Sequence, residues 1–462
     1  MNGNLISELL QTITERGRDL LARAWGQEDP TPAGLLRLTD DLLRRRGEAT
    51  GVALAEAILT RYAQLPDDAR RDVLLHLASD YGPDRARLER AIDAYRQAPG
   101  ETSAHGLHVA AEPRRQELIR RLNHAPGGTA ALVRMREDLF RHEKESPDLA
   151  ALDADFRHLF SSWFNRGFLV LRRIDWTTPA NILEKIIRYE AVHEIQDWDA
   201  LRARLEPPDR RCFAFFHPRL VDEPLIFVEV ALTAEIPASI GPLLSPARAA
   251  LSAHAATTAV FYSISNCQQG LRGISFGSFL IKQVVEDLRR ELPKLTTFVT
   301  LSPAPDFARW LAEDLAAPQG LVPEELRPAL EWTQEASAAA EPPPAGKAAL
   351  LSAATLYYLH AKNAAGQPRD SVARFHLGNG ARLERINFQG DLSQKAMRQA
   401  HGLMVNYLYS LDHIEANHEA FVDRGEIIAS GEVRQLLKRR FAPKPPAPAE
   451  PPAPARLPQG QA

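Results

Sequence analysis

The sequence predicts an α+β protein, an all-α helical bundle followed by a mixed α/β region, and three observations carry that reading. From Leu5 to about Phe164 apolar residues recur at helical spacing and strand-like alternation is nearly absent. From Cys212 onward, short runs rich in aromatic and β-branched residues alternate with amphipathic stretches. In the last 20 residues eight are proline, a composition that cannot bury enough apolar surface to fold. The predicted divisions are a helical region over 1–164, a mixed α/β region over 165–442 and a disordered tail over 443–462.

The helical region has the apolar stripe Leu5, Leu9, Ile13, Leu20 and Leu21, and a second one of Val73, Leu74 and Leu77. Pro66-Asp67-Asp68, Gly82-Pro83, Pro99-Gly100 and Pro126-Gly127-Gly128 punctuate it, each followed by a new run of helix formers. Six to eight short helices are expected. In the mixed region, Cys212 to Phe216, Leu225 to Leu232, Ala259 to Ser265 and Phe298 to Leu301 read as strands, and Gly277 to Leu292 and Asp306 to Leu315 as helices. Arg374 to Phe388 reads as a hairpin turning at Gly378-Asn379-Gly380, because Asn-Gly is a strong turn signal. Ala336 to Gly346, with three consecutive prolines, reads as a surface loop.

Lys and Arg total 56 against 59 for Asp and Glu, so the formal net charge of -3 gives no long-range pull toward nucleic acid or an anionic membrane. Any anionic ligand must be held by local geometry. Two cysteines, Cys212 and Cys267, are too few for a disulfide scaffold and read as buried free thiols. The start of the chain lacks the basic and apolar segments of a signal peptide, and no run of roughly 18 apolar residues is long enough to span a bilayer. The chain reads as cytoplasmic.

The stretch from Phe261 to Ile281 places a strand before a glycine-bearing turn and an amphipathic helix. Glycines let the backbone approach a ligand, and N–H groups at a helix start bind phosphate oxygens. Neither a P-loop nor a dinucleotide fingerprint occurs in the required context, and no H-E-x-x-H pattern suggests a metal. Arg272-x-x-Ser275-x-Gly277 resembles the Q/R-x-x-G-x-G/A signature with which the GNAT superfamily holds the pyrophosphate of coenzyme A, departing from it at Ser275, where glycine is usual.

Further stretches resemble the malonyl-CoA decarboxylase family: Phe261-Tyr262-Ser263-Ile264-Ser265, Leu301-Ser302-Pro303-x-Pro305, Phe375-His376-Leu377-Gly378-Asn379-Gly380-Ala381, Arg385-Ile386-Asn387 and Gly402-Leu403-Met404-x-Asn406-Tyr407-x-Tyr409. The resemblance implies a GNAT-like catalytic region behind the helical one, and a role in fatty-acid and malonate metabolism. It also implies a substrate-binding segment on Arg272, Gly273, Ile274, Ser275, Phe276, Gly277 and Ser278, a catalytic serine at Ser302, a catalytic histidine at His376 and an active-site tyrosine at Tyr409. Some family members carry glutamate at the position of Ser275, so a carboxylate there is missing. Read without the resemblance, Ser302 is a helix N-cap before Pro303, His376 a hairpin residue and Tyr409 a core aromatic on a final strand.

Loss of CO2 from a malonyl thioester leaves an enolate, so the substrate is its own electron sink and no cofactor is expected. The protein must orient the carboxylate, offer donors to the oxyanion and protonate C2. On this reading His376, a side chain that ordinarily titrates near neutrality, gives the proton, and Ser302 orients the carboxylate. Backbone N–H groups between Ser263 and Gln268 are candidates for the thioester oxygen. Two alternatives stay open, a GNAT N-acetyltransferase and a non-catalytic acyl-CoA-binding protein whose helical part docks a partner. The helical region also suggests a homodimer or homotetramer.

Overall fold

A computed structural model describes residues 31–44, 47–143, 146–274, 279–334, 343 and 345–437. Among the described residues the order is eight helices between Pro32 and Trp163, then eight strands and further helices, the α+β arrangement expected from the sequence. The stripe at Leu5 to Leu21, most of the Pro-rich loop and the C-terminal tail lie outside the described residues. No helix among the described residues is long and apolar enough to cross a membrane.

The chain divides into two compact units. Among the described residues the first comprises those within 31–232, 250–256 and 261–295. Its helices begin where the punctuation predicts, at Asp67, Arg85, Glu101 and Gly128, and Asp84 caps one of them by accepting from the Arg87 N–H at 2.8 Å. Val73 and Leu74 are fully buried, as are Leu132, Leu139, Leu152 and Phe156. Beyond the helices, β1 (Val170–Ile174), β2 (Arg210–Phe216) and β3 (Pro224–Thr233) form an antiparallel meander, with Ile174 opposite Cys212 and Cys212 opposite Glu229. Both faces of β2 and β3 are covered, which explains their continuous apolar runs. Next to β3 lies β4 (Thr258–Asn266), whose first three residues belong to the second unit. Cys212 and Cys267 are both buried free thiols.

Among the described residues the second unit comprises those within 233–249, 257–260 and 296–437. Its central strand is β8 (Met404–Leu408), which pairs antiparallel with β5 (Thr297–Thr300), β6 (Ser302–Pro303) and β7 (Arg382–Asn387). Val299 faces Leu408 and Ser302 faces Val405, so β5 and β6 are one run in one register, interrupted at Leu301.

Two local expectations are corrected here. Arg374 to Phe388 is not a hairpin: Ser371–Gly378 is a helix, capped by the Asp370 carboxylate, which accepts from the Ala373 N–H at 2.7 Å. Gly378-Asn379-Gly380 ends that helix, with Ala381 N–H bonded to the His376 carbonyl and Gly380 N–H to that of Leu377, the pairing of a left-handed C-terminal cap. Likewise Ser302 is not a helix N-cap. Pro303 and Pro305 bias the residues before them toward extended backbone, and the helix begins only at Phe307.

Candidate active site

In the second unit the structure brings together Ser302, His376 and Tyr409, which lie on a strand, on a helix and just past the end of β8. All three are buried. Ser302 Oγ is 3.1 Å from His376 Nε2, and His376 Nδ1 is 2.7 Å from the Tyr409 hydroxyl. The imidazole also stacks on the Tyr407 ring, with centroids 4.7 Å apart and planes at 24°.

The bond directions fix the tautomer. Ser302 Oγ donates to Thr300 Oγ1 at 2.9 Å, which turns its lone pairs toward His376. Nε2 therefore carries the hydrogen and donates to Ser302, while Nδ1 accepts from the Tyr409 hydroxyl. Burial among uncharged groups lowers the His376 pKa to about 3, so the ring is neutral at pH 7. This corrects the expectation of a histidine titrating near neutrality: the sequence shows the residue type but not its dry surroundings. Burial pushes the Tyr409 phenol well above its ordinary value, so it holds its proton.

Sequence reasoning assigned no role to the residues that shape this site. Where β5 should bond β8, Thr300 Oγ1 accepts the Tyr407 N–H at 3.1 Å, and the Thr300 carbonyl accepts from Asn406 Nδ2 at 2.8 Å. Asn387 Nδ2 donates to Asn406 Oδ1 at 2.7 Å and fixes the amide. Side chains thus replace backbone partners at the interruption, and the second bond of Thr300 Oγ1 holds Ser302. The quoted stretches contained Asn387, Asn406 and Tyr407, but nothing in them indicated strand repair.

In the first unit, the predicted phosphate-binding turn is described only as far as Ile274; Ser275, Phe276, Gly277 and Ser278 lie outside the described residues. Arg272, Gly273 and Ile274 line a cavity of about 390 Å³, together with Ile264, Ser265, Asn266 and Gln268. The Arg272 side chain is exposed; its guanidinium lies 4.2 Å from the centroid of the Phe140 ring and 3.6 Å from Glu143 Oε2. Of the backbone donors expected between Ser263 and Gln268, the Cys267 N–H is spent on the Leu225 carbonyl at 2.9 Å. The hydroxyls of Ser263 and Ser265 donate to the buried Glu190 carboxylate at 2.7 and 3.2 Å.

The sequence profile of the malonyl-CoA decarboxylase C-terminal domain matches residues 167–445, and that of the malonyl-CoA decarboxylase N-terminal domain matches residues 81–164. The mitochondrial malonyl-CoA decarboxylase of Anser anser anser is 33% identical over 413 residues, covering 82% of each chain. The crystal structure of malonyl-CoA decarboxylase from Rhodopseudomonas palustris superposes with a TM-score of 0.85 at 59% identity, covering 88% of this chain and 99% of that one. The enzyme from Cupriavidus metallidurans superposes with a TM-score of 0.69 at 36% identity, covering 88% and 100%.

Proposed function

The chain belongs to the malonyl-CoA decarboxylase family and so removes CO2 from malonyl-CoA, and from that premise we propose that His376 protonates the enolate while Ser302 orients the malonyl carboxylate. The observation that carries this reading is the run of bonds from Thr300 through Ser302 and His376 to Tyr409. The bond between C2 and the carboxylate breaks, CO2 leaves, and the electron pair spreads over C2 and the thioester oxygen. C2 then takes the Nε2 proton as the Tyr409 hydroxyl proton moves to Nδ1. No imidazolium forms, in keeping with a ring whose pKa is about 3. The enolate carbon is a far stronger base than a phenolate, so the transfer runs downhill, and the site resets when Nε2 takes a proton from water while the Nδ1 proton returns to the Tyr409 oxygen.

Ser302 donates to the malonyl carboxylate once its hydrogen turns from Thr300. The turn at Arg272 to Ile274 takes the pyrophosphate of the coenzyme A handle, the GNAT manner of binding, a reading supported by the cavity these residues line. No cofactor enters, because the thioester absorbs the charge. Self-association as a dimer or tetramer is supported by the helix Arg85–Gln97, none of whose 13 residues is buried among the described residues. The test is release of acetyl-CoA from malonyl-CoA by purified protein in excess EDTA. Full activity is expected, and activity that returns only with added metal would remove this mechanism.

A further inference from the structure

Arg136 belongs to the helix Gly128–His142, far in sequence from the cradle, yet its guanidinium is bonded to the cradle turn. The side chain is 1% exposed, and Nε pairs with Asp153 Oδ1 at 2.7 Å. Nη1 donates to the carbonyls of Gly270 at 2.8 Å and Arg272 at 3.0 Å. From the next position of the same helix, Glu137 Oε1 accepts the Gly270 N–H at 3.1 Å. Packing is tight as well, since a Cβ on Gly270 would collide with the Val133 carbonyl oxygen.

We propose that Arg136, assisted by Glu137, is a positioning residue for the coenzyme A handle: it holds the Arg272 carbonyl and thereby aims the Gly273 N–H at phosphate. In a trans peptide the C=O and the next N–H point in opposite directions, so anchoring the Arg272 carbonyl on Arg136 turns the Gly273 N–H away from the helix. The neighbouring amides are occupied, with Leu271 bonded to Gln268, Arg272 to Gln269 and Ile274 to Leu271. The Gly273 N–H has no backbone partner among the described residues, and Gly273 lines the cavity with φ of +79°. Only a rigid planar fork can take both carbonyls and a carboxylate at set angles, which a lysine ammonium on a flexible stem does not do.

This inference rests on the cradle reading, so its test uses two substrates in the full-length protein. Malonyl-CoA carries the phosphates, and malonyl-pantetheine lacks them. For Arg136→Lys the KM for malonyl-CoA should rise about 10- to 100-fold, as expected for a weakened hydrogen bond to a charged group, with kcat little changed. The kcat/KM for malonyl-pantetheine should stay at the wild-type value. Equal losses on both substrates, or a loss confined to kcat, would overturn the positioning role. A wild-type enzyme that used both substrates equally well would instead overturn the cradle reading itself. If Arg136→Lys does not fold, Glu137→Ala frees the Gly270 N–H and should show the same split between substrates at smaller size; its absence there overturns the proposal.

Discussion

The Tyr409 hydroxyl lies 2.7 Å from His376 Nδ1, while the other ring nitrogen faces Ser302 Oγ at 3.1 Å, so the imidazole is held at both ends by uncharged groups. A ring held this way passes a proton along without gaining a charge. The replacement proton then comes from Tyr409, and Tyr409→Phe keeps the aromatic packing while removing the source. Its kcat should fall by up to about 100-fold with the KM for malonyl-CoA near wild type, because the loss falls on the transition state. Steady-state kinetics on the purified variant decide it. An unchanged kcat would leave Tyr409 as packing.

A second prediction concerns acid stability. The His376 pKa falls from an ordinary 6.5 to about 3 on folding, by burial. Between those values the unfolded chain binds more protons, so stability rises with pH there: the contribution is fully present above 6.5 and is lost as pH falls toward 3. The slope from one such group is at most about 1.4 kcal/mol per pH unit. His376→Asn should flatten the fall in urea-unfolding free energy between pH 6.5 and 5 relative to wild type. Parallel curves would mean that the ring is reached by water in solution.

Much of this arrangement was legible in the sequence and some was not, for physical reasons. The strands around Phe213, Phe227 and Phe261 are buried on both faces, so apolar composition marked them without any knowledge of their neighbours. His376 was assigned to a hairpin because Gly378-Asn379-Gly380 signals a turn equally well at a helix end, and the deciding cap, Asp370, lies six residues earlier. Arg136 could not be found, since its bond to Gly270 spans 134 residues of chain and no local pattern marks it. Residue type alone places His376 near neutrality, whereas burial, which no local pattern reveals, sets its pKa.

The interruption at Leu301 gives a third prediction. Thr300 Oγ1 serves two donors, the Tyr407 N–H at 3.1 Å and the Ser302 hydroxyl at 2.9 Å. Thr300→Val keeps the shape and removes the acceptor, stranding a buried N–H at a cost of about 1–3 kcal/mol. It should also release Ser302 from its orientation and lower kcat, while free CoA binds as in wild type. Wild-type stability with wild-type kcat would show that the strand closes by an ordinary backbone bond.

The last prediction separates Ser302 from His376. If Ser302 holds the malonyl carboxylate, Ser302→Ala should weaken malonyl-CoA more than acetyl-CoA, which has no carboxylate to lose. His376→Asn should leave both affinities close to wild type and lower kcat, since proton delivery is needed only in the transition state. The two side chains share the 3.1 Å bond between Oγ and Nε2, so their effects should not add. Removing Ser302 takes away the acceptor that orients the Nε2 hydrogen, and much of the benefit of His376 goes with it. The double variant should therefore be less impaired in kcat than the product of the single losses predicts. Measuring kcat together with malonyl-CoA and acetyl-CoA affinities for all four proteins completes the cycle. Multiplicative losses would show two independent groups, and near-normal turnover in His376→Asn would move the proton donor elsewhere.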